Sequence, residues 1–303
     1  KRPSFLWSDF AEGIRRILFG LFLKVVLADN IAPLVDSGYS IPIEIMSALD
    51  VWTLAFLFGF QIYFDFSAYS HIAIGSARLM GITFPENFNF PYLASSPKEF
   101  WRRWHISLSS WIRDYLYLPL AGIKVQDRST GGLSNAITNK SKNKALFITW
   151  MVMGLWHGAN WTFVLWGAYH AILIFVYRLL SPVTKLFGST MQSVGGIFLT
   201  LPIIMLSWIP FRSESLDMTI SMWSKVLNPN LYGSLAMREN AYLAAAFILV
   251  GIFTVYFIKN KLITYLDRRG YKLIIGEIAY LTIIISLVII FFRPINQFIY
   301  FQF

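Results

Sequence analysis

The chain has 303 residues, of which 56% are hydrophobic, 17% aromatic and only 14% charged, so it is too apolar for an ordinary soluble domain. Its net charge is +10, and in a membrane protein such an excess is expected in cytoplasmic loops rather than in a nucleic-acid site. It has no cysteine, which excludes disulfides, thiolate nucleophiles and a thioester intermediate on the protein.

The first 80 residues predict a charged helix, a loop and a membrane span. Residues 10–27 read as a helix with three basic residues, which we expect at the interface or with one face inside the bundle. Pro33, Gly38 and Pro42 then indicate a loop. A span is predicted for 48–64, and the less apolar stretch 67–80 predicts a further helix.

A non-helical segment and a capped helix follow. Residues 84–91 contain too much Pro and Asn for a helix, so we expect them at the interface or packed inside the protein. Ser96 is a predicted N-cap, with Pro97 at the first helical position and Glu99 completing a capping box. Helical spacing then predicts one apolar stripe, formed by Trp101, His105, Leu108 and Ile112.

Two basic loops, 124–144 and 259–272, are predicted to be cytoplasmic. An even number of apolar runs lies between them, as two loops on one side require: 145–156, 161–177, 194–211 and 241–258. The mixed-charge loop 212–239 fits the far side, and the final run 273–292 would deliver the C-terminus to the extracytoplasmic face.

The first two of these runs predict a broken hairpin whose tip is 157–160. From Ala145 to His157 is roughly 18 Å at about 1.5 Å per residue, so the tip should lie inside a hydrocarbon core of about 30 Å. An imidazole at that depth is costly to desolvate, which makes His157 a candidate functional residue. It would stand where a donor from one side meets an acceptor from the other.

Four motifs occur in a characteristic order: YFDFSAYS at 63–70, FPENFN at 84–89, EFWRRWHISLSSWIRDYLYLPL at 99–120 and GLWHGANW at 154–161. With these motifs the chain resembles the membrane-bound O-acyltransferase superfamily, and most closely the branch of alginate O-acetyltransferase membrane subunits. The resemblance implies an all-α polytopic membrane protein, with transmembrane and re-entrant helices bundled around a buried tunnel. It also implies that 1–303 is a single such domain lacking N-terminal helices of the family. His71 departs from the pattern, which has an acidic residue there.

The resemblance implies that His157 is the catalytic histidine and His105 the second motif histidine. Neutral His157 would act as general base toward a hydroxyl. His105, Asn160 or a backbone N–H would stabilise the oxyanion, although His105 could equally be a packing residue.

The remaining candidates have a supporting or structural reading. Ser109 and Asp65 are supporting candidates, although a membrane-buried acid is more often paired with a basic residue. Arg102 and Arg103 could attract the phosphates of a CoA donor, or they could snorkel to the interface. His71 and His170 are expected to be structural. The histidines lack the spacing of metal ligands, so no metal is expected.

The branch further implies acetyl-CoA as the donor substrate, with no tightly bound cofactor, in the bacterial cytoplasmic (inner) membrane. The expected partners are an extracytoplasmic acetyltransferase or esterase-like protein and the machinery of polysaccharide synthesis and export. Either a serine of that partner or the sugar itself would be the first acceptor. Alternatives are transfer of another acyl group such as D-alanyl, or a noncatalytic membrane scaffold of an export complex. A transporter should show symmetric repeats, which the sequence lacks.

Overall fold

The computed structural model describes residues 6–123, 139–184, 188, 191–269, 273–292 and 297–299, and over these residues it is helical without a strand. The predicted all-α membrane class is confirmed. The α-helices are α1 (Trp7–Leu21), α2 (Asp29–Tyr39), α3 (Ala48–Leu79), α4 (Pro97–Arg103), α5 (Ile106–Ile112), α6 (Leu118–Leu120), α7 (Asn139–His157), α8 (Trp161–Thr184), α9 (Gly196–Arg212), α10 (Leu216–Val226), α11 (Glu239–Arg269) and α12 (Leu273–Ile290).

The chain divides into two compact units. Unit 1 comprises Lys1–Phe84 and Ser224–Gln302, and unit 2 comprises Pro85–Trp223 with Phe303. The extent of a single domain over 1–303 stays a prediction.

Four helical segments of the described chain are long and apolar enough to cross a membrane: Trp7–Tyr39, Ala48–Leu79, Trp161–Pro182 and Gln192–Arg212. The first joins α1 to α2 through a π-helical turn, Phe22–Ala28, so the predicted loop at Pro33 is wrong and Pro33 lies inside α2. The side-chain amide of Asn30 donates to the carbonyl oxygens of Val25 and Val26 in that turn. A side chain therefore satisfies carbonyls that the irregular ladder exposes, and the helix continues.

In unit 1, α3 is one helix through both stretches that the sequence suggested as separate. A capping box begins it, because Ser47 Oγ accepts from the Asp50 N–H and the Asp50 carboxylate accepts from the Ser47 N–H. The same carboxylate accepts from the backbone N–H groups of Ala236 and Met237 and from the Tyr242 hydroxyl. Asp50, which the sequence did not single out, thus fastens the start of α11 to α3.

Charged stretches that the sequence suggested as loops are partly helical. The helix α7 already begins at Asn139, α10 lies inside the predicted loop 212–239, and α11 continues to Arg269 through most of the predicted loop 259–272. Lys, Arg and Glu are good helix formers, so charge alone does not end a helix. Residues 124–138 of the first basic loop lie outside the described residues.

Candidate functional site

The motif at 99–120, which lies in unit 2, is a broken helix rather than the continuous helix that the sequence predicts. Ser96 is the N-cap as predicted, since its Oγ accepts from the Glu99 N–H at 3.2 Å. The capping box is not formed, because Glu99 instead accepts from the N–H and hydroxyl of Ser95 and pairs with Arg103 at 2.6 Å. Burial raises the pKa of the Glu99 carboxyl, but the bonds from Ser95 and Arg103 outweigh it and leave the pKa below its ordinary value.

The break falls at His105, whose φ of +41° lies in the left-handed region. The backbone groups that it frees are paired with the non-helical segment before α4: the Ile106 N–H donates to the Asn87 carbonyl, and the Asn89 N–H donates to the Arg103 carbonyl, both at 2.9 Å. The predicted stripe through His105 is therefore wrong. The helical pattern fails here because hydrogen bonds to Asn87 and Asn89, outside the helix, fix the backbone conformation.

Asn87 also orients the His105 ring, because its Oδ1 lies 3.1 Å from His105 Nδ1. An amide oxygen only accepts, so Nδ1 carries the proton and Nε2 is the basic nitrogen. His105 lies outside the four candidate spans, and burial lowers its pKa to about 4. The imidazole is therefore neutral near pH 7.

His157 ends α7 and is buried among aromatic rings. Its ring centroid lies 5.0 Å from that of Trp166, 5.1 Å from Phe211 and 4.9 Å from Trp156. The predicted break at the hairpin tip is confirmed over residues 158–160. Asn160 is exposed there, and its Oδ1 accepts from the Thr162 N–H at 3.0 Å, which makes it the N-cap of α8.

Two glycines set the position of His157 against α8. A Cβ on Gly154 would overlap the Phe163 carbonyl oxygen, and one on Gly167 would overlap the Trp150 carbonyl oxygen. The backbones of α7 and α8 are thus in direct contact. Any side chain at either glycine would separate the two helices.

A third histidine, His170, joins the site from α8. It is fully buried, and its Nδ1 accepts from the Trp101 indole N–H at 3.3 Å. Its ring lies 4.8 Å from that of Trp166, so Trp166 contacts both His157 and His170. His105 and His170 are each within electrostatic range of His157.

A cavity of about 770 Å³ opens beside these rings in unit 2. It has four basic side chains in its lining and no acidic one: Lys98, Arg102, Arg113 and Arg178. Its apolar part includes the indoles of Trp101 and Trp150, both of which contact His170. His157 and His105 do not line it. The indoles of Trp101 and Trp150 contact Trp166, and Trp166 contacts His157, so tryptophan rings stand between the basic cavity and His157.

The remaining predicted residues divide between the two units. Arg102 and Ser109 line the cavity, whereas Arg103 is paired with Glu99 outside it. In unit 1, Asp65 pairs with buried Lys24 at 2.6 Å and accepts from the Ile299 N–H at 2.7 Å. Asp65 thus has the basic partner that is common for a membrane acid. The described residues contain no group of three or more potential metal ligands.

Sequence reasoning missed Lys98, Arg113 and Arg178. Only Arg178 had a local signal, because Trp166, His170, Ile174 and Arg178 follow one another at four-residue spacing on α8. Residues at this spacing share a helix face. The other two are brought to the cavity by the broken helix, which the sequence did not reveal.

The chain is similar to a known protein family and to several known proteins. A family model, the membrane-bound O-acyltransferase family (MBOAT), matches residues 2–209. The chain is similar to a probable alginate O-acetylase of Azotobacter vinelandii, with 39% identity over 73% of this chain and 41% of that protein. It is 35% identical to a peptidoglycan O-acetyltransferase of Helicobacter pylori over 74% of this chain and 40% of that protein.

A more distant relative is a teichoic acid D-alanyltransferase of Streptococcus thermophilus, 29% identical over 68% of this chain and 52% of that protein. The chain spans about two fifths of the length of the first two relatives.

Proposed function

We propose a function for this chain on one premise: the chain belongs to the membrane-bound O-acyltransferase family. The proposed reaction moves an acetyl group from a cytoplasmic thioester, acetyl-CoA, to a hydroxyl acceptor for O-acetylation of an exported polysaccharide. The observation that carries it is that α8 connects the two parts of the site. Its Arg178 lines the basic cavity, and its Trp166 packs against His157.

The cavity suits a donor with phosphates and a long apolar arm. Lys98, Arg102 and Arg178 offer charge-assisted hydrogen bonds to phosphate oxygens. Arg178 lies twelve positions after Trp166 on α8, which is about 18 Å at about 1.5 Å per residue. A donor held at the rim therefore needs an extended arm to bring a thioester near His157, and CoA has one.

His157 would serve as the general base. The acceptor hydroxyl oxygen bonds to the acetyl carbon while the imidazole takes the hydroxyl proton and the carbonyl pair moves onto oxygen. Collapse of this intermediate breaks the carbon–sulfur bond, and the leaving thiolate takes the proton from the imidazole. Proton transfer of this kind contributes about 10² to 10⁴ in rate.

The acetyl group, the location and the partner are parts of the same proposal. The relatives at 39% and 35% identity are named for O-acetylation and the one at 29% for D-alanyl transfer, so acetyl is the first choice and D-alanyl the second. The acceptor would come from the extracytoplasmic side of a bacterial inner membrane, presented by an acetyltransferase or esterase-like partner.

The test is His157→Ala in the full-length protein, with His71→Ala as a matched histidine control. We expect His157→Ala to lower acetylation of the polymer in cells at least 100-fold at equal membrane abundance, as the loss of a general base implies. His71, which lies 3.2 Å from Arg16 in unit 1, should be dispensable. Retained acetylation in His157→Ala would support the scaffold alternative, and D-alanyl in place of acetyl on the product would correct the donor.

A further inference from the structure

Three buried N–H donors around Trp166 have no acceptor among the described residues. They are the indole nitrogens of Trp166 and Trp208 and Nε2 of His170. The three side chains are at most 1% exposed. A buried N–H without an acceptor costs about 1 to 3 kcal/mol, so three neighbouring ones are unusual in a packed protein.

The protonation of His170 follows from its one hydrogen bond. Its Nδ1 accepts from the Trp101 indole, so the proton of the neutral ring is on Nε2. All three unpaired atoms are therefore donors. A group of donors alone recognises an acceptor, such as a carbonyl oxygen, and it recognises an oxyanion better still.

The donors are next to the proposed base. The ring centroid of Trp166 lies 5.0 Å from that of His157, 4.8 Å from that of His170 and 6.4 Å from that of Trp208. Trp166 therefore contacts the other two donors and His157. Trp101 contacts both Trp166 and His170, and it also lines the basic cavity. Its hydrogen bond to His170 is long, at 3.3 Å.

We propose that Trp166, His170 and Trp208 form the oxyanion site of the transfer reaction, receiving the acyl carbonyl oxygen once the thioester passes Trp101. This inference rests on the proposed acyl transfer. When the hydroxyl attacks and the carbonyl pair moves onto oxygen, the N–H groups stabilise that charge in an apolar surrounding, and they release it when the carbon–sulfur bond breaks. Asn160, the earlier candidate, is exposed and caps α8.

Two substitutions of His170 separate this role from packing. In His170→Gln the side-chain amide reaches the position of Nε2 and keeps a donor there. In His170→Asn the amide reaches only the position of Nδ1, so the bond from Trp101 is kept and the donor is lost. We expect His170→Asn to lower kcat about 100-fold and His170→Gln to retain most of the wild-type kcat. The KM for acetyl-CoA should be similar in both variants.

The opposite order, with His170→Asn active and His170→Gln inactive, would assign His170 to holding Trp101 and overturn the proposal. Equal kcat in both, with only the melting temperature lowered, would also overturn it. Replacing Trp166 by its isostere 3-benzothienylalanine, which has sulfur in place of N–H, should lower kcat. The same replacement at Trp223, whose N–H donates to the Leu206 carbonyl, should lower only stability.

A measurement without turnover distinguishes this inference from the proposed function. In His157→Ala, the infrared carbonyl stretch of acetyl-CoA labelled with carbon-13 at the carbonyl should move to lower frequency on binding. Adding His170→Asn should reverse most of that shift. If the carbonyl stretch shifts on binding but the wild type does not catalyse transfer, acyl transfer is refuted and the carbonyl site is kept. If the wild type catalyses transfer but the carbonyl stretch does not shift, the proposed site is refuted.

Discussion

His105 combines a left-handed backbone with a half-buried imidazole, and each is unfavourable. A non-glycine residue in this region costs about 1 to 2 kcal/mol, and such strain persists only where surrounding contacts fix it. Asn87 supplies those contacts through its backbone carbonyl and its side-chain oxygen. The backbone thus places the His105 ring in one orientation with a defined tautomer.

The lowered pKa of His105 predicts how stability depends on pH. The pKa is about 4 in the folded protein against 6.5 in the unfolded chain, so between these values the unfolded chain binds more protons. Stability from this group is therefore complete above about pH 6.5 and is lost as the pH falls toward about 4. Asn tolerates the left-handed region and does not titrate, so His105→Asn should remove this dependence.

The measurement is thermal unfolding in detergent from about pH 7 to about pH 4.5, the window in which the two states differ in protonation. The melting temperature of the wild type should fall more steeply than that of His105→Asn. His105→Ala, which lacks the tolerance of Asn for this backbone, should be less stable than His105→Asn at every pH. Parallel curves for wild type and His105→Asn would contradict the burial of a neutral imidazole.

Local signals decided which of these residues the sequence could reveal. His157 was visible because Gly, Ala and Asn after it end a helix inside an apolar run. The turn at His105 was not, since its own residues continue a helical pattern and the fixing contact lies 18 residues away. The unpaired donor of His170 was equally hidden, because only packing shows which nitrogen of a ring has a partner.

At the level of elements, the contact between α7 and α8 depends on glycine at two positions. Gly167→Ala should lower the free energy of unfolding by about 1 to 3 kcal/mol, because a Cβ there would overlap the Trp150 carbonyl. Gly251→Ala is the matched control inside α11, where nothing lies within 4 Å of a new Cβ. It should leave stability unchanged or raise it by about 0.5 to 1 kcal/mol, from helix propensity alone.

Thermal unfolding of both variants in detergent gives the comparison. Both variants add the same methyl group, so a loss of stability in Gly167→Ala alone excludes a general effect of adding it. If Gly167→Ala were as stable as the wild type, α7 and α8 could not be in backbone contact. The placement of His157 against Trp166 would then need another explanation.

For the whole molecule, the sequence predicted which segments are helical better than it predicted where each helix ends. Apolar runs reveal spans because the bilayer imposes a length, but nothing comparable marks the end of a helix in water. This is why α11 continues through its basic residues to Arg269. Which side each end faces remains the part that charge alone predicts.

That topology has a direct test, because the chain contains no cysteine. Single cysteines at Lys144 and Phe292, both exposed, should lie on opposite faces if the basic residues in the first turns of α7 are cytoplasmic. In an otherwise cysteine-free full-length protein in intact cells, an impermeant thiol reagent should label position 292 and spare position 144. Labelling of 144 alone would invert the orientation and place the basic cavity away from a cytoplasmic donor.

The carboxylate of Asp65 joins parts of the chain that are made at very different times. Its partner Lys24 lies 41 residues before it, whereas the Ile299 N–H lies 234 residues after it. At about 5 to 20 residues per second, a ribosome needs about 10 to 50 s to cover the second interval. For that period one carboxylate oxygen in a nascent bundle must use a substitute donor, either water or an insertion factor. Asp65 is therefore fully paired only after Ile299 has been made, and a chain stalled before that point should be a target for membrane quality control.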